Sequence, residues 1–241
     1  MRNNEKTIPL TPRLRAAVDW VPSGARLCDV GTDHAFLPAA LVLEGRIPSA
    51  IASDIRPGPL ARAQATLARY GLTDRVQTRL CPGLEAIRPG EADAVSICGM
   101  GGEMILHILE AAPWTREGVR LILQPQRSQA ELRRWLWEHG YRIEAEKVIC
   151  EGPRWYTLLL AEGGVQTLPP DPLAERTGHP LLWERQPERV EYLRFLRGKN
   201  EALLERLSRS EREGERRAAL LAENRLLTDW IERLERGEWP K

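Results

Sequence analysis

The sequence predicts an α/β fold, in which a doubly wound parallel sheet is followed by a C-terminal helical coiled-coil hairpin. Three patterns support this prediction. Five short apolar segments alternate with segments of helical periodicity, two extended segments then follow without a helix between them, and heptad-spaced leucines occupy the C-terminal part. A chain of 241 residues is long enough for one full α/β domain and a smaller second one. We expect these domains at residues 1–163 and 173–241.

The predicted helices and parallel strands have clear start and stop signals. Thr11 precedes Pro12 as an N-cap before a proline at the first helical position, and Gly71 and Gly140 end two later helices. The predicted helices span residues 12–21, 34–44, 57–70, 103–111 and 128–139. The predicted strands span residues 26–30, 50–55, 75–80, 93–98 and 120–123, and segments 141–150 and 155–161 form a closing antiparallel hairpin.

A linker rich in glycine and proline, residues 163–172, separates the two predicted domains. Beyond it, apolar residues recur at alternating spacings of three and four within 193–207 and 220–234, which is the pattern of coiled-coil seams. Antiparallel pairing of the two segments places Asn200 and Asn224 in adjacent layers, where they fix the register.

The turn of this hairpin is predicted at Glu213-Gly214. A single long helix and a dimerising coil remain as alternatives. Arginines near the turn are interspersed with glutamates, so they form either a solvated mixed face or a surface that grips RNA; they are Arg206, Arg209, Arg212, Arg216 and Arg217.

Composition and charge bound the class of protein. The chain is 42% hydrophobic with a net charge of +1, which is normal for a globular protein and weighs against a strongly basic nucleic-acid binder. No apolar run is long enough to cross a bilayer, and no apolar signal segment follows the first residues, so we expect a cytoplasmic monomer without membrane contact. No C-x-x-C pair occurs, so we expect no metal, and buried small apolar roles for Cys28, Cys81, Cys98 and Cys150.

The segment 27–34, Leu-Cys-Asp-Val-Gly-Thr-Asp-His, is the most informative part of the sequence. A strand that runs into a tight turn before a helix is the position of a nucleotide-cofactor loop in a doubly wound sheet. Asp33 stands where a dinucleotide-binding loop has its second glycine, and its negative charge would repel a pyrophosphate. The loop therefore favours a cationic cofactor without phosphate, S-adenosyl-L-methionine, over NAD.

Other polar and glycine residues lie at the ends of the predicted strands. Asp29 either anchors the first loop or receives the ammonium group of the cofactor, and Asp54 is placed for ribose hydroxyls. The cofactor-binding candidates, including three glycines that allow close backbone approach, are Asp29, Gly31, Asp54, Gly83, Gly99, Met100, Gly101 and Gly102. The substrate-binding candidates, whose alternative is an ordinary proline turn, are Gln124 and Pro125.

Three segments resemble motifs of one known family: Asp-Val-Gly-Thr-Asp-His-Ala-Phe-Leu-Pro at 29–38, Ile-Cys-Gly-Met-Gly-Gly at 97–102, and Leu-Ile-Leu-Gln-Pro at 121–125. Over roughly residues 11–161 the chain resembles the bacterial tRNA (adenine-22-N1)-methyltransferases, which have a Rossmann-like class I methyltransferase sheet. The resemblance implies S-adenosyl-L-methionine as cofactor, N1 of adenosine 22 in the tRNA D-loop as methyl acceptor, and a C-terminal coiled-coil domain. The chain departs from its relatives at Pro82, which offers no amide hydrogen bond.

The resemblance also implies that Asp33 takes part in catalysis. Adenine N1 has its own lone pair, so methyl transfer needs alignment and stabilisation of the product cation rather than a strong base. His34 is the second catalytic candidate, although a neutral histidine bound to a neighbouring backbone group is the commoner outcome at a helix start. The alternatives are a methyltransferase that acts on another RNA, a protein or a small molecule, and a non-catalytic RNA-binding module that retains the fold.

Overall fold

The computed structural model describes residues 7–207 and 213–240. The chain divides into two compact units, Met1–Leu168 and Pro169–Lys241. In the first unit, the described residues form one seven-stranded sheet in the order β3-β2-β1-β4-β5-β7-β6. The first five strands pair in parallel, whereas β7 pairs antiparallel with both β5 and β6. The strands are β1 (Leu27–Val30), β2 (Ala50–Asp54), β3 (Val76–Leu80), β4 (Ala94–Met100), β5 (Arg120–Pro125), β6 (Tyr141–Glu151) and β7 (Arg154–Gly163).

The helices of this unit form two groups that pack against the sheet. The first group is α1 (Pro12–Val18), α2 (Phe36–Leu43) and α3 (Pro57–Tyr70), and the second is α4 (Gly102–Glu110) and α5 (Gln129–Glu138). This alternation of strands and helices, closed by an antiparallel hairpin, confirms the predicted Rossmann-like methyltransferase sheet.

Most predicted boundaries agree with the structure, and the differences have local causes. The prediction for α3 is confirmed at both ends, but α1 ends at Val18 rather than at residue 21. Its last turn tightens, because the amides of Trp20 and Val21 bond three residues back before Pro22 removes the next donor. Strand β4 runs two residues further than predicted, through an irregularity between Cys98 and Met100.

Helix α2 anchors the core next to the first strand. Its sequence Phe-Leu-Pro-Ala-Ala-Leu-Val-Leu is apolar throughout, and residues 37–42 are all buried. It packs against α1, α3 and the β1 and β2 strands. Because each fully buried leucine or valine contributes about 1.5–3 kcal/mol, this packing holds the chain that follows β1 in a fixed position.

A buried ion pair joins α5 to the closing hairpin. The side chains of Arg133 and Glu146 are both fully buried, and Arg133 Nη2 lies 2.6 Å from Glu146 Oε2. Arg133 Nε donates to both oxygens of the same carboxylate, at 3.1 and 3.2 Å. The contacts fix α5 on β6 and thereby the antiparallel edge of the sheet.

The second unit contains α6 (Ala174–Thr177), α7 (Glu188–Leu207) and α8 (Gly214–Glu235). Helices α7 and α8 contact each other along their length and form a helical hairpin, so the single-long-helix alternative is wrong. Asn200 Nδ2 donates to Asn224 Oδ1 at 3.0 Å, as their predicted adjacent layers require. A coiled-coil supertwist stays a prediction. Five apolar residues of the predicted seams are buried: Leu193, Leu196, Leu227, Ile231 and Leu234.

The predicted turn of the hairpin needs a correction. Helix α8 begins at Gly214, so this glycine belongs to the helix rather than to the turn. Residues 208–212, which include Arg209 and Arg212, lie outside the described residues. Exposed Arg216 lies 3.7 Å from Glu213, as expected of a mixed charged face.

Two expected absences and the cysteines can be compared with the structure. Among residues 7–207 and 213–240, no helix has the length and apolar content to cross a membrane, and no cluster of His, Cys, Asp and Glu could hold a metal. Cys28 and Cys81 are buried as predicted, but Cys98 is half-buried and Cys150 is exposed near the hairpin turn, so the prediction is wrong for Cys150.

Arg133→Met is expected to lower the free energy of unfolding by about 3–5 kcal/mol, because it leaves the Glu146 carboxylate buried without its guanidinium. Urea unfolding followed by circular dichroism measures the loss. The matched control is Arg134→Met, an exposed position on the same helix, with an expected change within about 0.5 kcal/mol. The double variant R133M/E146L should recover most of the stability, and equal losses for the single and double variants would contradict the assignment.

Candidate active site

Two neighbouring cavities open at the carboxyl ends of the parallel strands, where ligands bind in doubly wound folds. The larger has a volume of about 480 Å³ and extends from β1 past β2 and the loop after β3 to α4. The smaller has about 270 Å³ and lies between α1, the β1–α2 loop and the end of β4. They share four lining residues, Val30, Gly31, Cys98 and Gly99, so a group in one cavity adjoins a group in the other.

The β1–α2 loop forms part of the wall between the cavities. The amides of Gly31 and Thr32 both donate to the carbonyl oxygen of Ser53 in β2, at 2.8 and 2.9 Å. Gly31 has a φ of +74°, which a residue with a Cβ adopts only with strain. Because both amides already have an acceptor, neither is available to bind a pyrophosphate. The geometry thus agrees with the prediction from the charge of Asp33.

Asp29 lies below the loop and is buried. Ser96 Oγ donates to Asp29 Oδ1 at 2.6 Å, and no cationic side chain within the described ranges forms an ion pair with this carboxylate. Burial raises the pKa of Asp29 to about 6, although hydrogen bonds from Ser96 and Thr32 act in the opposite direction. The smaller cavity therefore contains a buried carboxyl group whose ionised form a bound cation would stabilise.

The far end of the larger cavity combines one acid with apolar walls. Asp54 ends β2, is buried, and accepts a hydrogen bond from the amide of Arg56 at 2.7 Å. Ile55 and Met104 line the same cavity although 62% and 55% of their surfaces are exposed. Gly83 is also a lining residue, next to Pro82. A polar acceptor beside exposed apolar side chains suits a ribose and a flat base.

The glycine segment after β4 divides into two parts. Gly99 and Met100 line the larger cavity. Gly102 instead faces the β5–α5 loop: its amide donates to the carbonyl oxygen of Arg127 at 2.8 Å, and an added Cβ would lie 2.3 Å from the carbonyl oxygen of Ser128. The close approach of two backbones explains Gly102, and neither Gly101 nor Gly102 is among the residues that line the two cavities.

Gln124 and Pro125 do not line either cavity. Both are buried in β5, and Gln124 Nε2 donates to the carbonyl oxygen of Pro125 at 3.1 Å. The predicted contact with a substrate base finds no support in this arrangement, because the central position of β5 turns these side chains into the protein. Gln124 Oε1 is buried and accepts no hydrogen bond from the described residues.

Asp33 and His34 lie together on the wall of the smaller cavity. The Asp33 side chain is 58% exposed, and its Oδ2 lies 3.7 Å from His34 Nε2. The His34 ring stacks on Phe36 with a centroid distance of 5.0 Å and an interplanar angle of 9°. Arg62 of α3 donates from Nε and Nη2 to Asp33 Oδ1, the former at 2.9 Å. Arg62 is not among the site residues that the sequence predicts, since no motif surrounds it and only the fold brings α3 to this loop.

The comparisons with known proteins agree with this geometry. Residues 10–159 match a methyltransferase domain family. The chain is 40% identical over 158 residues to the tRNA (adenine(22)-N(1))-methyltransferase of Bacillus subtilis strain 168; the alignment covers 65% of this chain and 66%, just under two thirds, of that relative. It is also similar to the crystal structure of the B. subtilis M1A22 tRNA methyltransferase TrmK, with a TM-score of 0.80, 31% identity and coverage of 93% of this chain and 99% of that chain. The chain belongs to the tRNA (adenine-22-N1)-methyltransferase family.

Two further structures of similar proteins contain a cofactor or its product. Sp1610 of Streptococcus pneumoniae, in complex with S-adenosyl-L-methionine, has a TM-score of 0.80 and 33% identity, and covers 92% of this chain and 100% of that chain. M. capricolum TrmK, in complex with S-adenosyl-homocysteine, has a TM-score of 0.78 and 25% identity, and covers 92% and 98%. The resemblance inferred from three motifs is confirmed, and membership of the tRNA (adenine-22-N1)-methyltransferase family extends over nearly the whole chain.

The raised pKa of Asp29 predicts an unusual pH dependence of stability. The folded-state pKa of about 6 lies above the value of 3.8 that applies to the unfolded chain, so the folded protein binds more protons in this window and loses stability as the pH rises through it. Asp29→Asn keeps an oxygen for Ser96 but removes the charge. Relative to this variant, the wild type should lose about 2 kcal/mol between pH 4 and pH 7.

Urea unfolding across that pH range measures the difference, in the absence of cofactor. Asp74→Asn, at an exposed position ahead of β3, serves as control and should follow the wild-type curve. Parallel stability curves for wild type and D29N would contradict a buried, cation-free Asp29.

Proposed function

We propose that this protein transfers the methyl group of S-adenosyl-L-methionine to N1 of adenosine 22 in the D-loop of tRNA. The observation that carries the proposal is the pair of cavities that meet at Gly31 and Gly99. The larger suits a nucleoside, and the smaller contains the buried carboxyl group of Asp29 and the exposed carboxylate of Asp33. The functions of the family members that the chain is similar to support the same reaction.

The residues around the two cavities together fit S-adenosyl-L-methionine. In the larger cavity, Asp54 would bind the ribose hydroxyls and the apolar wall around Ile55 would contact the adenine. Asp29, which lines the smaller cavity, would receive the ammonium group across the shared boundary at Gly31 and Gly99. When bound, the sulfonium supplies an electrophilic methyl group that needs no phosphate site. The remaining proposed cofactor contacts are Gly31, Gly83, Gly99 and Met100, whereas Gly101 and Gly102 are proposed only through the shape that they give the loop.

The exposed side of the smaller cavity, at Asp33 and His34, would receive the acceptor base. Adenine N1 lies on the Watson–Crick edge, so the base has to leave its stack before the methyl group can reach it. The stacked rings of His34 and Phe36 offer one aromatic wall for the extruded base. Asp33 would accept a hydrogen bond from the exocyclic amine and stabilise the positive charge that methylation places on the ring.

Partners and location follow from the proposed reaction. We propose tRNA as the partner of a monomeric, cytoplasmic enzyme, with residues 1–163 as the cofactor-binding domain and 173–241 as a coiled-coil domain that contributes to tRNA binding. Arg206 and Arg216 are exposed on the second unit and are available for phosphate contacts.

Methyl transfer from labelled S-adenosyl-L-methionine to an unmodified tRNA transcript tests the proposed function. We expect label on a transcript with adenosine at position 22 and none on the same transcript with guanosine there. Label on both transcripts would point to another acceptor site, and label on neither, with cofactor binding intact, would contradict the proposed substrate.

Asp33→Ala should lower kcat for this transfer by about 100- to 1,000-fold, because the product cation loses its counter-charge. Cofactor affinity, measured by calorimetry, should stay within about twofold, since the Asp33 side chain contacts Arg62 and His34 and not the proposed cofactor-binding carboxyl groups of Asp29 and Asp54. Asp74→Ala, another exposed aspartate, is the control and should keep wild-type turnover. Full activity of D33A would contradict the catalytic assignment of Asp33.

A further inference from the structure

We propose that Arg62 is a positioning residue: it fixes the Asp33 carboxylate so that one oxygen, Oδ2, meets the exocyclic amine of the acceptor adenine. This inference rests on the proposed function and adds a residue from α3 that belongs to none of the three motifs. Arg62 acts through Asp33 and need not touch the cofactor or the base.

The contact between the two side chains is specific in geometry. Arg62 Nε and Nη2 both donate to Asp33 Oδ1, with an Nε···Oδ1 distance of 2.9 Å. The other oxygen, Oδ2, lies 3.7 Å from His34 Nε2, which is beyond hydrogen-bond distance. Convergence of both donors on one oxygen leaves the second oxygen directed towards the histidine and the smaller cavity.

Arg62 stands on a rigid support. Helix α3 starts with Pro57 and ends at Gly71, and it buries Leu60, Ala63 and Leu67 against the rest of the unit. Gln64 Nε2 donates to Thr78 Oγ1 of β3 at 3.0 Å, which ties the same helix to the sheet. Arg62 is exposed on the opposite side of these buried residues, so its backbone is fixed while its guanidinium reaches the loop.

Asp33 needs this support because its carboxylate has only one other contact among the described residues, with His34 Nε2 at 3.7 Å, and the hydrogen bonds of its loop hold the backbone. The Ser53 carbonyl holds the amides of Gly31 and Thr32, and Thr32 Oγ1 accepts from the amide of Ala35 at 3.1 Å. Ala35 has a φ of +52°, a conformation that costs about 1 kcal/mol or more for a residue with a Cβ. Without Arg62, the 58%-exposed Asp33 side chain would rotate freely between rotamers.

Removal of Arg62 would affect kcat in two opposite ways, through the charge of the Asp33 carboxylate and through its orientation. A guanidinium next to Asp33 partly neutralises the carboxylate, so its loss would strengthen the attraction between Asp33 and the methylated base. Its loss would also release the carboxylate from its productive orientation, and misplacement by about 1 Å costs up to about 100-fold in rate. We expect the loss of orientation to outweigh the stronger attraction, so kcat should fall when Arg62 is removed. A rise in kcat would show that the charge effect is the larger one.

The experiment compares Arg62→Gln and Arg62→Lys with the wild-type enzyme on the tRNA transcript with adenosine 22. We expect R62Q to lower kcat by about 10- to 100-fold with KM for tRNA and cofactor affinity within about twofold. R62K keeps the charge with one donor group in place of two, and should recover part of the loss. Arg69→Gln, an exposed arginine two turns further along α3, is the control for helix stability and surface charge.

A double-variant cycle separates positioning from a general structural role. If Arg62 acts through Asp33, R62Q in a D33N background should lower kcat by less than twofold beyond D33N alone. Thermal unfolding of each variant checks that the fold is intact.

The outcomes distinguish this inference from the proposed function. Absence of transfer by the wild-type enzyme would overturn both. Transfer by the wild type together with an unchanged or raised kcat for R62Q would overturn only the role of Arg62. A raised KM with unchanged kcat would also overturn it, because Arg62 would then contact the RNA backbone, and additive losses in the double variant would exclude action through Asp33.

Discussion

The carbonyl oxygen of Ser53 at the end of β2 accepts hydrogen bonds from the amides of both Gly31 and Thr32, and the arrangement of the site depends on this pair of bonds. They turn the chain sharply after β1 and occupy the N–H groups of these two residues. The same turn leaves Asp29 buried beneath the loop and places Asp33 on its outer surface. A buried carboxyl group and an exposed one therefore lie close together along one short loop, and both line the smaller cavity.

The two carboxylates have different environments and therefore different proposed tasks. Burial raises the pKa of Asp29 to about 6, so that the group depends on a cationic ligand for a stable ionised state. Asp33 is exposed and paired with Arg62, which suits a group that meets a base arriving from solvent. This separation, with Gly31 and Gly99 between the cavities, lets a methyl donor and a methyl acceptor meet at a single boundary.

Local patterns in the sequence were sufficient to predict the fold and the first loop, but not the contacts between distant elements. Some predictions depend only on neighbouring residues in the chain, and the structure agrees with them. They include the proline and glycine at the two ends of α3 and the aspartate at the end of β2. The three-glycine segment predicts a ligand loop, but at Gly102 the backbone of Ser128 lies too close to leave room for a side chain. Gln124 resembles a site residue at the end of a strand, but β5 lies between two neighbours and buries it. Arg62 could not be predicted, because its partner is 29 residues away.

The central proposal is that Asp29 binds the ammonium group of the cofactor, and calorimetric titration with S-adenosyl-L-methionine from pH 5 to pH 7 tests it most directly. The ammonium group favours ionised Asp29, whose pKa in the free protein is about 6. The account predicts that affinity rises about tenfold as the pH increases through this value and that protons are released on binding below it, whereas D29N binds weakly with little pH dependence. Equal affinities of the wild type at pH 5 and pH 7, or wild-type affinity of D29N, would contradict it.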